Sequence, residues 1–224
     1  MDVHFINGGV KPVTGQQLIK SLGIAELEEE DARLLESIAS EAEKIACPKA
    51  VFMRAEIEEM GEDYVCAGGQ RFNSALVRKN VSRSEFIIPY TATCGRELYE
   101  WSAAYQDDVL AMIACDALME AYLRRMCMLM AKTAKEIYYG GADISSMAPG
   151  SVDAMWPITE QKKLFEILGE NARKAGVSLT ESCLMIPAKS VSGFYFSAEE
   201  HFENCMLCTR ENCPNRRAKF KGEL

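Results

Sequence analysis

Apolar residues recur at helical spacing over much of the first two thirds of the chain. A short helix is predicted from Thr14, whose hydroxyl can cap the first turn while Gln17 reaches back, to Gly23, which can end it. A second helix is predicted over residues 31–47, where apolar side chains share one stripe and Pro48 follows.

The strongest helical signal lies between Gly95 and Gly140, where 44 residues include neither Gly nor Pro. The pattern predicts a break near residues 106–108, where an Asp can cap a second, longer helix. The apolar faces of that helix are predicted to carry Leu110, Ile113, Ala117, Leu118, Ala121 and Met128. Asp116 and Glu120, four residues apart on it, are either a solvent-facing pair or part of a site.

Runs of β-forming residues predict strands at residues 50–57, 86–92, 177–186 and 190–197. One further helix is predicted between Thr159 and Gly169. Helices and strands do not alternate regularly, which argues against a parallel βαβ arrangement. The predicted class is therefore α+β, a single irregular domain of long helices packed on antiparallel strands.

Composition narrows the function classes. The net charge of −8 over 224 residues argues against nucleic acid as a partner. No apolar run approaches the ~18 residues of a membrane span, so no membrane partner is expected. No signal peptide is recognised, so the nine cysteines indicate free thiols or metal ligands in a reducing, cytoplasmic compartment.

One segment carries a specific pattern. Residues 179–197 read LTES, then Met185, Pro187, SVSG and YFS. Over these nineteen residues the chain closely resembles, without gaps, the end of the reactivation domain of cobalamin-dependent methionine synthase. The resemblance implies that domain's fold in a free-standing activation subunit. It also implies S-adenosylmethionine binding and docking on a cobalamin module, so that oxidised cob(II)alamin is reduced and remethylated.

The resemblance also implies donor-site residues. These are Gly150, Tyr195 and Phe196 lining one cleft, with Glu181 nearby. The family's methyl-donor loop reads Arg-x-x-x-Gly-Tyr, and aligning it on Gly150 places Ser146 at the Arg and Ser151 at the Tyr. Since a Ser cannot bind a carboxylate as a bidentate Arg does, the charge-assisted part of donor recognition is missing or supplied elsewhere.

Cysteines beyond that segment form a second pattern: His201, Cys205, Cys208 and Cys213, with Pro214 directly after. Thiolates at this spacing can converge on one metal. His201 can complete a tetrahedral zinc site, or Cys183 can complete an iron–sulfur cluster with the three other thiols. Unligated thiols are the third alternative. We expect Cys47, Cys66, Cys94, Cys115 and Cys127 to be small buried side chains.

The last residues are basic, with Arg210, Arg216, Arg217, Lys219 and Lys221. This tail is either a solvated terminus or a docking patch for an acidic partner, such as the cobalamin protein, flavodoxin or ferredoxin. The predicted division is an activation-domain-like unit over residues 1–198 and a Cys-rich basic extension over residues 199–224.

The leading hypothesis is reductive reactivation of a cobalamin-dependent methyltransferase, a methionine synthase or a related enzyme, in which the partner holds the cobalamin. Neither His lies in a cobalamin-ligating Asp-x-His-x-x-Gly motif. The alternative is an iron–sulfur electron-transfer or scaffold protein for a corrinoid protein that has lost donor binding. A third hypothesis is an interaction module that zinc stabilises and that catalyses no reaction of its own.

Overall fold

The computed structural model describes residues 2–24, 26–151, 155–197, 202–213, 216 and 218–222. The strands are β1 (Val3–Asn7), β2 (Lys49–Met53), β3 (Ala55–Met60), β4 (Tyr64–Ala67), β5 (Gln70–Asn73), β6 (Phe86–Thr93), β7 (Ser145–Met147), β8 (Ser178–Leu179), β9 (Met185–Ile186) and β10 (Ser190–Phe196). The α-helices are α1 (Gly15–Leu22), α2 (Glu29–Ile45), α3 (Ala75–Asn80), α4 (Arg96–Trp101), α5 (Val109–Tyr139), α6 (Gln161–Leu168) and α7 (Glu170–Lys174). Short 3₁₀ helices cover Ser102–Tyr105, Ile158–Glu160 and Asn204–Met206.

The strand β6 is the centre of one antiparallel sheet of eight strands within the described residues. β2 and β3 follow each other along one edge of β6, since the register continues across Arg54 from the Phe52–Tyr90 pair to the Ala55–Ile87 pair. β10 pairs with the other edge of β6, and β7 pairs with β10. β1 extends the sheet beyond β2, and β4 and β5 extend it beyond β3.

Helices cover both faces of this sheet, because alternate side chains of its strands point in opposite directions. Ile88 of β6 packs in an apolar core beneath α1, α2 and α5. Ile87, its neighbour, packs in a second core that α3, α6 and α7 cover. The predicted α+β class with antiparallel strands is therefore confirmed.

The helix boundaries agree closely with the sequence pattern. Thr14 caps α1 through a reciprocal pair of hydrogen bonds with Gln17, and Gly23 ends the helix in the left-handed conformation. The helix α2 begins at Glu29, two residues before the predicted start, and ends ahead of Pro48. Asp108 caps α5 as expected, its Oδ1 accepting from the Ala111 N–H at 2.9 Å.

The predicted apolar face of α5 is partly wrong. Leu118 is buried as expected, but Ile113 and Met128 are 48% and 62% exposed. The buried stripe of the helix runs through Ala111, Ala114, Cys115, Leu118, Met119, Tyr122, Leu123, Met126, Met130 and Ala134. Because apolar residues occur around most of this helix, spacing alone does not determine which side faces the sheet.

Residues 177–186 form a hairpin and not the single predicted strand, with β8 and β9 on either side of a turn. The sequence pattern also missed β1, α3 and the hairpin of β4 and β5. Gly68 and Gly69 both have positive φ in that hairpin's turn, a two-residue turn that favours paired glycines. None of the described helices is long and apolar enough to cross a membrane.

Candidate functional site

The LTES motif forms the turn between β8 and β9. Thr180 organises it: its carbonyl oxygen accepts from the Cys183 N–H at 3.0 Å, and its Oγ1 accepts from the Leu184 N–H at 3.0 Å. Cys183 is buried and has a φ of 64°. Glu181 is exposed in the same turn. The motif therefore presents an acid at a hairpin tip.

The SVSG motif begins β10 and pairs with the central strand β6, while the short strand β7 pairs with the residues of β10 that follow it. Ser190 donates to the Pro187 carbonyl oxygen at 2.7 Å, and the Thr91 hydroxyl donates to the Val191 carbonyl oxygen at 3.0 Å. A Cβ on Gly193 would collide with the Met147 carbonyl oxygen and lie 2.8 Å from the Tyr90 hydroxyl oxygen. This position accommodates no side chain because the backbone of β7 crosses it.

Tyr195 and Phe196 point to opposite faces of β10, as successive strand residues do. The Tyr195 ring stacks on Tyr90 at 4.4 Å, with 26° between the ring planes, on the α5 side of the sheet. The Phe196 ring is fully buried on the other side, 5.8 Å from Phe194 and 6.5 Å from Phe202. The two side chains therefore face different cores, which does not support a cleft lined by both, and the donor site stays a prediction.

The strand β7 places Ser146 directly opposite Tyr195. Gly150 lies further along the same segment in a tight turn, with a φ of 76° and its N–H donating to the Trp156 carbonyl oxygen at 2.9 Å. A Cβ there would lie 2.8 Å from the Ile158 side chain. The structure thus brings Ser146 beside Tyr195, whereas the turn at Gly150 contacts Trp156 and Ile158.

Asp116 and Glu120 do not simply face solvent, because both carboxylates interact with a lysine. The Lys189 ammonium lies 2.9 Å from the Asp116 carboxylate and 3.8 Å from that of Glu120, so it connects α5 to the start of β10. The Cys94 N–H donates to the Lys189 carbonyl oxygen at 3.0 Å, which ties β6 to the same residue. Sequence reasoning missed Lys189, although a lysine directly before SVSG was visible.

Two of the isolated thiols are buried and poor nucleophiles. Burial raises the pKa of Cys94 to about 12 and that of Cys115 to about 11. Cys47, Cys66 and Cys127 are half-buried, so the expectation of small buried thiols is confirmed for two of the five.

The three C-terminal cysteines, Cys205, Cys208 and Cys213, are half-buried and carry no disulfide. The described residues contain no group of three or more His, Cys, Asp or Glu side chains that could hold a metal ion, so the expected convergence of sulfurs is not seen there. His201 lies outside the described residues. The metal site remains a prediction that the geometry of this loop does not support.

Arg216 holds this loop together. Its guanidinium donates to the carbonyl oxygens of Cys205 at 2.9 Å and Cys208 at 3.1 Å, and also to that of Arg210. One member of the predicted basic tail is therefore a structural cross-link, while Arg210, Lys219 and Lys221 are exposed. Composition could not distinguish these roles because the acceptors are backbone atoms.

The first residues of the extension pack on the main fold. Phe202 and Leu207 are buried in the core on the α6 side, and the Phe202 N–H donates to the Ser145 hydroxyl at 2.8 Å. The segment after residue 201 thus contributes to the same core as β7 and β10.

Comparisons with known proteins agree with this fold. A crystal structure of the MetH reactivation domain bound to AdoHcy matches with a TM-score of 0.66 and 17% identity, over 91% of this chain and 81% of that chain. This likeness shows the fold.

No curated protein sequence matches the chain. The family model for the activation domain of vitamin B12-dependent methionine synthase matches residues 77–215, including the three C-terminal cysteines, which were expected to lie beyond the resemblance. Because the match covers more than half of the sequence, the chain belongs to the family of vitamin B12-dependent methionine synthase activation domains.

Proposed function

We propose that this protein assists reductive reactivation of a cobalamin-dependent methyltransferase of the methionine synthase type. The observation that carries the proposal is the family match over residues 77–215, with SVSG and the Tyr195–Phe196 step both on the strand β10. In the proposed reaction an external reductant supplies one electron to the oxidised cobalt that the partner holds. S-adenosylmethionine then transfers its methyl group to the reduced cobalt and leaves as S-adenosylhomocysteine, which draws the unfavourable reduction forward.

This chain's contribution is binding and positioning. In the proposal, Tyr195 and the loop at Gly150 contact the methyl donor, and Glu181 reaches it from the β8–β9 turn. The Phe196 side chain holds the strand from the opposite face. Ser146 has no charge to offer a donor carboxylate, so that part of recognition rests on other groups or is absent.

The partner side of the proposal rests on exposed charge. Arg210, Lys219 and Lys221 are each exposed near the C-terminus, where they can offer positive charge to a partner. Such a surface favours encounter with an acidic partner, such as the cobalamin protein or an electron donor like flavodoxin or ferredoxin. In this proposal the purified chain carries no cobalamin, which the partner supplies.

We expect the purified chain to accelerate recovery of an oxidised cobalamin methyltransferase when a reductant and S-adenosylmethionine are both supplied. Recovery is measured from the absorption spectrum of the partner's cobalamin, and calorimetry measures donor binding to the chain alone. Omitting S-adenosylmethionine is the control, because reduction without methyl transfer is unfavourable. Acceleration that is unchanged without the donor would contradict the donor-dependent proposal.

The second candidate function is electron transfer or scaffolding for a corrinoid protein without donor binding. Ser146 and Ser151 favour it, since neither can replace the Arg and Tyr of the donor loop. If the function is electron transfer, Cys205, Cys208 and Cys213 hold an iron–sulfur cluster with Cys183 as the fourth ligand. If the cysteine loop is only structural, the three thiols bind zinc with His201. Either metal site requires the loop to rearrange, because the described residues include no group of three or more His, Cys, Asp or Glu side chains that could hold a metal ion.

Anaerobic purification distinguishes these forms. Brown protein whose absorption bleaches with dithionite supports a cluster, and colourless protein with stoichiometric zinc supports a structural site. The matched control is a variant with Cys47, Cys66 and Cys127 replaced by Ser, which is expected to keep any metal. Metal-free protein, with no change in melting temperature when Cys205, Cys208 and Cys213 are replaced by Ser, excludes both.

A further inference from the structure

A pocket of about 530 Å³ lies between the loop after β1, the first turn of α1 and the middle of α5. It is lined by Gly9, Val10, Lys11, Pro12, Thr14, Gln17, Arg125, Met128 and Leu129. None of the predicted donor-site residues lines it. Its volume falls in the range of small-molecule binding sites.

The charge of the lining is opposite to that of the chain. Of the residues that the structure describes, Lys11 and Arg125 line the pocket and no carboxylate does, although the chain carries a net charge of −8. Among the described ion pairs none includes Lys11 or Arg125. Two cationic residues in the lining, without a described acid to neutralise them, favour an anion there.

Arg125 is held at the pocket by neutral acceptors. Its guanidinium donates to the Lys11 carbonyl oxygen at 2.6 Å and to the Gln17 Oε1 at 2.8 Å. That Oε1 also accepts from the Thr14 N–H at 3.2 Å, which fixes Gln17 against the start of α1. A guanidinium has more N–H donors than these two contacts use, so an oriented cationic donor remains for a ligand.

The remaining lining is apolar. Val10 and Pro12 come from the loop and Leu129 from α5, and Met128 is 62% exposed although methionine is usually buried. A flexible, polarisable Met beside a cavity adapts to the shape of an apolar ligand. The pocket therefore combines a cationic part with an apolar wall.

We propose that this pocket binds a small organic anion with an apolar body. The anionic group interacts with Arg125 and Lys11, and the apolar body packs on Met128 and Leu129. The site is additional to the proposed methyl-donor site, and it does not depend on the reactivation function.

The probe is 8-anilinonaphthalene-1-sulfonate, whose fluorescence rises on binding, and uncharged N-phenyl-1-naphthylamine is the comparison ligand. We expect saturable binding of the sulfonate at one site, and we expect Arg125→Gln to weaken it about tenfold while changing affinity for the uncharged analogue much less. Arg124→Gln is the matched control: Arg124 is the adjacent cation on α5 but does not line the pocket. Equal losses in both variants would overturn the proposal.

Met128 offers a test that is independent of folding, because its side chain is exposed. Met128→Glu is expected to weaken sulfonate binding about tenfold, and Met128→Lys to maintain or strengthen it. Similar effects of the two substitutions would show that charge does not govern binding. Displacement of the probe by S-adenosylmethionine would assign the pocket to the donor site and remove the claim of an additional one.

Discussion

Replacing Gly193 with alanine is expected to lower the free energy of unfolding by about 3 kcal/mol, near the upper end for overpacked positions. The new methyl group meets the Met147 carbonyl oxygen, a backbone atom that cannot rotate away, and lies 2.8 Å from the Tyr90 hydroxyl oxygen. Relief requires β7 to move away from β10. Thermal unfolding followed by circular dichroism measures the effect, expected as a fall in melting temperature of about 10 °C for a chain of this size.

The control for Gly193 is Ala188→Val, which enlarges an exposed side chain in the same segment. This variant is expected to stay close to the wild type, since surface substitutions usually change stability by less than about 0.5 kcal/mol. Wild-type stability of Gly193→Ala would show that β7 does not approach β10 as closely as described.

Truncating Tyr195 to alanine is expected to cost about 3 kcal/mol or more, as for other large aromatic side chains in a core. Tyr195 is 6% exposed and its ring stacks on Tyr90, so loss of the ring leaves a cavity beneath α5. Urea unfolding measures this cost. Tyr195→Ala is also expected to weaken S-adenosylmethionine binding in calorimetry, since an aromatic wall contributes apolar contact and shape.

Two milder variants separate donor binding from stability. Tyr195→Phe retains the ring and removes only the hydroxyl, so it is expected to lower stability much less than Tyr195→Ala does. Phe196→Leu perturbs the opposite face of β10 and is expected to lower stability without changing donor affinity. Loss of affinity in Phe196→Leu but not in Tyr195→Ala would contradict the proposed contact between Tyr195 and the donor.

The sequence predicted much of the helical structure because its determinants are local. The Thr14–Gln17 capping box, the Asp108 cap and the glycines at 23 and 140 set the ends of α1 and α5 without long-range contacts. The strands were harder to predict than the helices, since β4 and β5 have only four residues each and lie in a charged part of the sequence. The paired glycines between them were a signal that could have located the hairpin.

The candidate site, too, could be predicted from the sequence only in part. The motif over residues 179–197 indicated the family, and the family match and the shared fold confirm it. The motif did not predict which of its side chains lie close together. Alternation along β10 separates Tyr195 from Phe196, and a turn at Thr180 leaves Glu181 at a hairpin tip.

By itself, the sequence determined the class of the fold, the ends of its main helices and the family, because each depends on local pattern or on a contiguous motif. Only the tertiary structure decided which face of α5 is buried, that Lys189 bridges Asp116 and Glu120, and that Arg216 binds carbonyl oxygens inside the cysteine loop. It also joined the loop after β1 to Arg125 in one pocket. These contacts connect residues far apart in the chain or involve backbone acceptors that all residue types share, so no local pattern encodes them.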